Sequence, residues 1–330
     1  MKKLLALVLS LAMVISLVSF AFADTPSVAI VVAGSLGDRS FYDSANEGVQ
    51  KLAAEFGTVV KVIECKEDAS MYVNALYEAA KECDIIAAVG WQFYDALSDP
   101  DGILYDPDFA DRKFLFIDNA LEIIPDNLMC ITYAQNEGSF LAGYIGGKLT
   151  KTNVIGAVGG EDADTINDFL VGYEAGAKQA NPDIRVDRRY ANTYEDPAQG
   201  KECALALYST GSDIIFAVAG KTGEGVFEAA RETDHLAIGV DGDQKYIDPD
   251  RIICSMVKRV GQSIYDVVSD PDTYFKGGTV WNADMATGYI DVVFGDDDMP
   301  QQVSDEIKAE VEELKAKIIS GEIVVPSAFQ

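Results

Sequence analysis

Short unbroken apolar runs alternate with segments of helical spacing along the chain. The runs are "SVAIVVAG" (27–34), "VVKVIEC" (59–65), "CDIIAAVG" (83–90), "KFLFIDN" (113–119) and "LMCITY" (128–133). Between two of them, "SMYVNALYEAAKE" sets Tyr72, Leu76 and Ala79-Ala80 at i, i+4 and i+7/i+8, one face of a helix. Continuous Val/Ile runs separated by helices predict a parallel sheet covered on both faces. The pattern then restarts. "NVIGAVGG" (153–160) matches the first run, "SDIIFAVAG" (212–220) the third, "LAIGVDGD" (236–243) the fourth and "RIICSMVK" (251–258) the fifth, each displaced by about 125 residues. Such an offset predicts two similar doubly wound α/β lobes.

The strand ends carry the candidate chemistry. "KFLFIDN" and "LAIGVDGD" contain matching acids, Asp118 and Asp241, and the runs before them end in glycine. Ligands of open α/β sheets bind outside the carboxyl ends of the strands, so two facing lobes predict a cleft that closes about a hinge. The tail adds a last helix, with Ser304 as N-cap, Ile307, Val311, Leu314 and Ile318 as its apolar stripe, and Gly321 as its stop.

The first 23 residues read differently. Lys2 and Lys3 precede a long apolar stretch that ends in Ala21-Phe22-Ala23, the pattern of a secretory signal peptide cut after Ala23. An uncleaved anchor is the competing reading. No cysteine lies near the site, so no lipidation signal is present. The whole chain has 54 acidic and 26 basic residues in 330, a net charge of −28, and the segment after Ala23 is more acidic still. That sign excludes nucleic acid and disfavours an anionic membrane surface. The five cysteines (Cys65, Cys83, Cys130, Cys203, Cys254) are far apart and form no C-x-x-C pair, so no metal site is expected; the odd count leaves at least one thiol free, and four of them sit in or beside apolar runs and read as small core residues.

Three motifs invite chemistry and fail. "AVAGKTGEG" contains GKT, but a P-loop needs glycine where Ile215 stands. "DPDGILYDPDFAD" (99–111) has its glycine too early for a calcium loop and no closing Glu. The single histidine, His235, enters a strand instead of leaving one, away from the expected cleft. No cofactor is expected, and an enzyme, such as a hydrolase using only carboxylates, is the less favoured reading.

Taken in order, "GDRSFYDSANEG", "VGWQF", "FLFIDN", "QNEGSFLAGYIGGKLTKT", "FLVGYEAGAK", "FAVAGKTGEGVFEAA", "IGVDGDQ", "SMVKRV" and "SGEIVVP" resemble the basic membrane protein family, substrate-binding proteins of ABC transporters. The resemblance implies a type I periplasmic-binding-protein fold with three hinge crossings, near 133–136, 255–258 and 286–290. The corresponding organisation is a signal peptide at 1–23, an N-terminal lobe of 24–133 plus 256–288, and a C-terminal lobe of 134–255 plus 289–330. It implies a nucleoside ligand, often a purine nucleoside, and a membrane permease as partner for an exported monomer. Carried onto this chain, Phe41 stacks on the base, with Asp38 beside it. Trp91 and Phe93 are the aromatics of a cleft loop, one of which could belong to the core. Asp118 closes the fourth strand, Gly220 lets the ligand sit close, and Asp241 and Lys258 reach the ribose. Asp38 fits a helix cap as well as a contact. Tyr42 stands where the family has an Asn that helps read the base, which opens the ligand to non-purine and non-nucleoside molecules. A sensor that presents the same ligand to a signalling receptor is the alternative role.

Overall fold

The computed structural model describes residues 25–329. The expected signal segment, 1–23, lies outside them. Among the described residues no helix is long and apolar enough to cross a membrane.

The first lobe begins with β1 (Val28–Val32), α1 (Phe41–Phe56), β2 (Val60–Glu64), α2 (Tyr72–Glu82), β3 (Ile85–Val89), α3 (Tyr94–Ser98), β4 (Lys113–Ile117) and β5 (Leu128–Tyr133). The second holds α4 (Gln135–Leu149), β6 (Val154–Gly159), α5 (Asp164–Ala180), β7 (Arg185–Tyr190), α6 (Pro197–Ser209), β8 (Ile214–Val218), α7 (Glu224–Thr233), β9 (Leu236–Asp241) and β10 (Ile252–Lys258). The chain then returns through α8 (Val260–Ser269), α9 (Pro271–Tyr274) and β11 (Thr279–Ala283). It ends with β12 (Ile290–Val293) and α10 (Asp305–Ile319).

The two sheets share one strand order and differ in the direction of one edge strand. Their orders are β11-β5-β4-β3-β1-β2 and β12-β10-β9-β8-β6-β7, so the sequence repeat is a repeat of architecture. Every neighbouring pair is parallel except β10 with β12. β1, β3 and β8 are buried at every position, as strands covered on both faces must be. The boundary expected between 255 and 256 falls inside β10. This strand keeps its pairing with β12 through Lys258.

Glycines set how closely the helices approach. A Cβ on Gly143 of α4 would overlap the Tyr173 carbonyl oxygen of α5, and one on Gly176 of α5 would overlap the Phe140 carbonyl oxygen of α4. The backbones are therefore in direct contact, which explains the glycine spacing of "GSFLAGYIGG" and "VGYEAGA". Gly48 of α1 and Gly261 of α8 meet in the same way and fix the returning segment to the first lobe. Helix propensity alone would make Gly176→Ala stabilising by about 1 kcal/mol. The contact reverses the sign, and we expect a loss of about 1–3 kcal/mol from overpacking. A urea midpoint that rises in this variant would show that the two backbones do not touch.

The tail is as its pattern predicts. The Ser304 hydroxyl oxygen accepts from Ile307 N at 3.3 Å, and Val311, Leu314 and Ile318 are buried. Four cysteines are buried, Cys203 is half-buried, and all five are free thiols.

Candidate functional site

A cleft between the lobes encloses about 550 Å³ of empty space, part of it open to solvent. Its walls are the carboxyl ends of strands from both sheets. β1 leads into the loop that carries Asp38 and the start of α1. β3 leads to Gly90, Trp91 and Gln92, and β4 to Asp118. From the other lobe come Gly220 after β8, Asp241 at the end of β9 and Lys258 at the end of β10.

Asp118 and Asp241 occupy equivalent places and share an unusual backbone. Their φ values are +76° and +65°, left-handed conformations that Asp adopts more readily than most side chains. Lys258 Nζ donates to Asp118 Oδ1 at 2.8 Å, a buried ion pair that joins the lobes. The rings of Phe41 and Phe169 lie 4.8 Å from Lys258 Nζ, and that of Tyr133 lies 5.3 Å away, so the ammonium sits in an aromatic cradle. Asp241 Oδ2 accepts from Ser40 Oγ at 2.6 Å. Asp241 Oδ1 is buried and has no hydrogen-bond partner in the protein.

The opening loop divides its labour. Asp38 is 2% exposed and accepts three backbone amides, from Ser40 (3.0 Å), Tyr42 (2.9 Å) and Asp43 (3.0 Å). It also borders the cleft, but its bonds are those of a cap for the start of α1. Phe41 is half-buried, lines the cleft and meets Tyr42 edge-on at 5.3 Å. Tyr42 also lines the cleft, but it is buried and packs over Gly34; a Cβ on Gly34 would lie 2.6 Å from its ring.

Trp91 lines the cleft. Phe93 does not: it is wholly buried and packs on Tyr72, with ring centroids 4.6 Å apart. The two residues are the ends of one 3₁₀ turn, Trp91–Phe93, which turns one aromatic to the cavity and the other to the core. His235 stacks on Tyr208 at 4.5 Å, outside the cleft.

Several cleft residues escape the sequence pattern. Gln92, Phe169, Tyr194 and Glu195 all line the cavity. The rim contacts are equally hidden. Glu195 Oε1 accepts from Ser35 N at 2.7 Å, and Glu67 Oε1 accepts from Tyr194 N at 2.9 Å. Gln244 Nε2 donates to the Arg39 carbonyl at 3.0 Å, and Arg39 pairs with Glu224 at 3.5 Å. These bonds cross from lobe to lobe, so the structure is closed.

Burial pushes the Asp38 carboxyl up to about 7, against the pull of its three amides. Burial also raises Asp118 and Asp241, with Lys258 opposing in both cases. Asp38 therefore keeps a proton in the folded chain that the unfolded chain has released. Stability therefore falls as pH rises from about 4 to about 7. Glu310, hydrogen-bonded by Lys148 and Tyr144, and Asp84, hydrogen-bonded by Ser27, are held below their ordinary values. Their contribution is lost only below that window. We expect the ligand-free chain to melt higher at about pH 5.5 than at about pH 7.5. Equal or reversed melting temperatures would show that these carboxyls are ionised throughout.

Two lobes of one strand order, closed on a cavity rimmed by strand ends, define a solute receptor of the type I periplasmic-binding-protein fold. The chain belongs to the family of ABC transporter substrate-binding proteins described as PnrA-like, whose model matches residues 25–328. It is similar to basic membrane protein A of Borreliella burgdorferi, with 35% identity covering 92% of this chain and 89% of that protein. It is also similar to the ABC transporter nucleoside-binding protein BmpA of Lactococcus lactis subsp. cremoris, with 33% identity covering 92% and 90%. Among solved structures, an ABC transporter solute-binding protein from Aeropyrum pernix K1 superimposes with a TM-score of 0.80 at 27% identity, covering 91% of this chain and 93% of that one. The family is one of extracytoplasmic solute-binding proteins and not of enzymes.

Proposed function

We propose that this protein captures a nucleoside, with a purine base foremost, between its lobes and presents it to a membrane permease for uptake. The observation that carries the reading is the unpartnered Oδ1 of buried Asp241, in a cavity that the Lys258–Asp118 pair and the Phe41 ring also line. A buried carboxylate oxygen without a donor calls for a ligand hydroxyl, and a half-buried aromatic ring at a cleft suits a flat base. The relative named as nucleoside-binding supports the same assignment. In this reading the crossings after Tyr133, at Arg259 and between Ala283 and Ile290 act as the hinge, and the receptor works as an exported monomer.

A thermal-shift panel on residues 24–330 tests the proposal, since a ligand that binds only the folded state raises its melting point. Nucleosides should shift it, while free bases and ribose alone should not. A shift with sugars only, or with no member of the panel, would remove the nucleoside. Phe41→Ala should weaken nucleoside binding by about 1–3 kcal/mol, the value of one base stacked on one ring. Unchanged affinity with a lowered melting point would make Phe41 a packing residue.

A further inference from the structure

Of the buried polar side-chain atoms that lack a partner among the described residues, three belong to residues that line this one cavity: Asp241 Oδ1, the Tyr194 hydroxyl and Gln92 Oε1. Buried acceptors in native proteins are rarely left unpaired, and a group of them around one space points to a missing partner. Asp241 is assigned to the sugar above, and of the other two only Gln92 offers an amide carbonyl, a pure acceptor. It follows Trp91 in the turn after β3. Its carboxamide folds back over the strand end, where Gly90 leaves it room: a Cβ on Gly90 would lie 2.5 Å from Gln92 Oε1. Gly90 N donates to the Ile117 carbonyl at 3.3 Å, so this strand end adjoins the one that carries Asp118.

We propose that Gln92 is a specificity residue whose side-chain carbonyl accepts a hydrogen bond from an N–H on the six-membered-ring edge of a purine nucleoside. The inference rests on the nucleoside reading of the same cavity and adds which edge is read. Adenosine offers the 6-amino group there, and inosine offers N1–H. Purine riboside has the same ring and sugar but only an acceptor at that edge, so it would leave Gln92 Oε1 unpaired.

The test is calorimetric titration of the full mature chain with adenosine, inosine and purine riboside. The wild type should bind adenosine or inosine at least about 10-fold more tightly than purine riboside, the cost of one unpaired buried acceptor. Gln92→Met keeps the length and removes the acceptor. It should bind all three within about 3-fold of one another, mainly through loss of the first two. Gln92→Glu retains an acceptor and should retain the preference, which guards against a disturbed turn in the methionine variant. A wild type without the preference, or a methionine variant that keeps it, would assign the discrimination elsewhere and overturn the inference. Failure of all three nucleosides to bind the wild type would overturn the nucleoside reading itself, and Gln92 with it.

Discussion

Asp241→Asn should weaken nucleoside binding by about 100-fold or more while leaving the ligand-free fold intact. The side chain keeps its shape, and Asn tolerates the φ of +65° at this position. What is lost is the charge. Charge-assisted hydrogen bonds are worth about 1.5–3 kcal/mol each, and a carboxylate that takes two ribose hydroxyls stands to lose more than one. The ligand-free variant should melt at least as high as the wild type, because a buried acidic group with an unpaired oxygen has been neutralised. Titration calorimetry paired with a melting curve separates the two effects. Undiminished affinity would place the sugar elsewhere.

The largest effect on stability should come from Lys258→Met. Lys258 is 1% exposed and is the ion-pair partner of Asp118, which is itself 8% exposed. Removing one member of a buried pair leaves the other charge uncompensated, at a cost of about 3–5 kcal/mol. The methionine fills the aromatic cradle, so the loss is chiefly electrostatic. Two further observations would confirm that origin. The variant should regain stability on acidification more steeply than the wild type, because protonating Asp118 removes the stranded charge. Adding Asp118→Asn should restore most of the loss. A double variant as unstable as the single one would mean that Lys258 acts through its packed stem.

How far the sequence foretells this molecule depends on where information is local. The buried strands are plain in it, because β1, β3 and β8 are runs of apolar residues with glycine at or just beyond their ends. β7 is not, because "RVDRRY" is an edge strand, half-exposed and charged at most positions. β11 and β12 escape for a related reason: they are short additions at the opposite edges. Among the cleft residues, Asp118, Asp241 and Gly220 are found by asking how strands end. Trp91 and Phe93 look alike in sequence, and only the turn between them sends one to the cavity and the other to the core. Ser40, Glu67 and Glu195 act through partners far along the chain, such as Asp241 for Ser40, so no neighbouring residue could reveal them.

Lys258 stands one residue before the proposed hinge crossing at Arg259, whereas Glu67 and Glu195 hold the outer rim of the cleft. With the crossings as the proposed hinge, rotation would carry the rim farther than the ion pair. Arrival and departure of the ligand are then governed by different parts of the molecule. On the proposed hinge, the inner anchors would separate least and meet a solute first. The rim carboxylates would then engage last and bear chiefly on release.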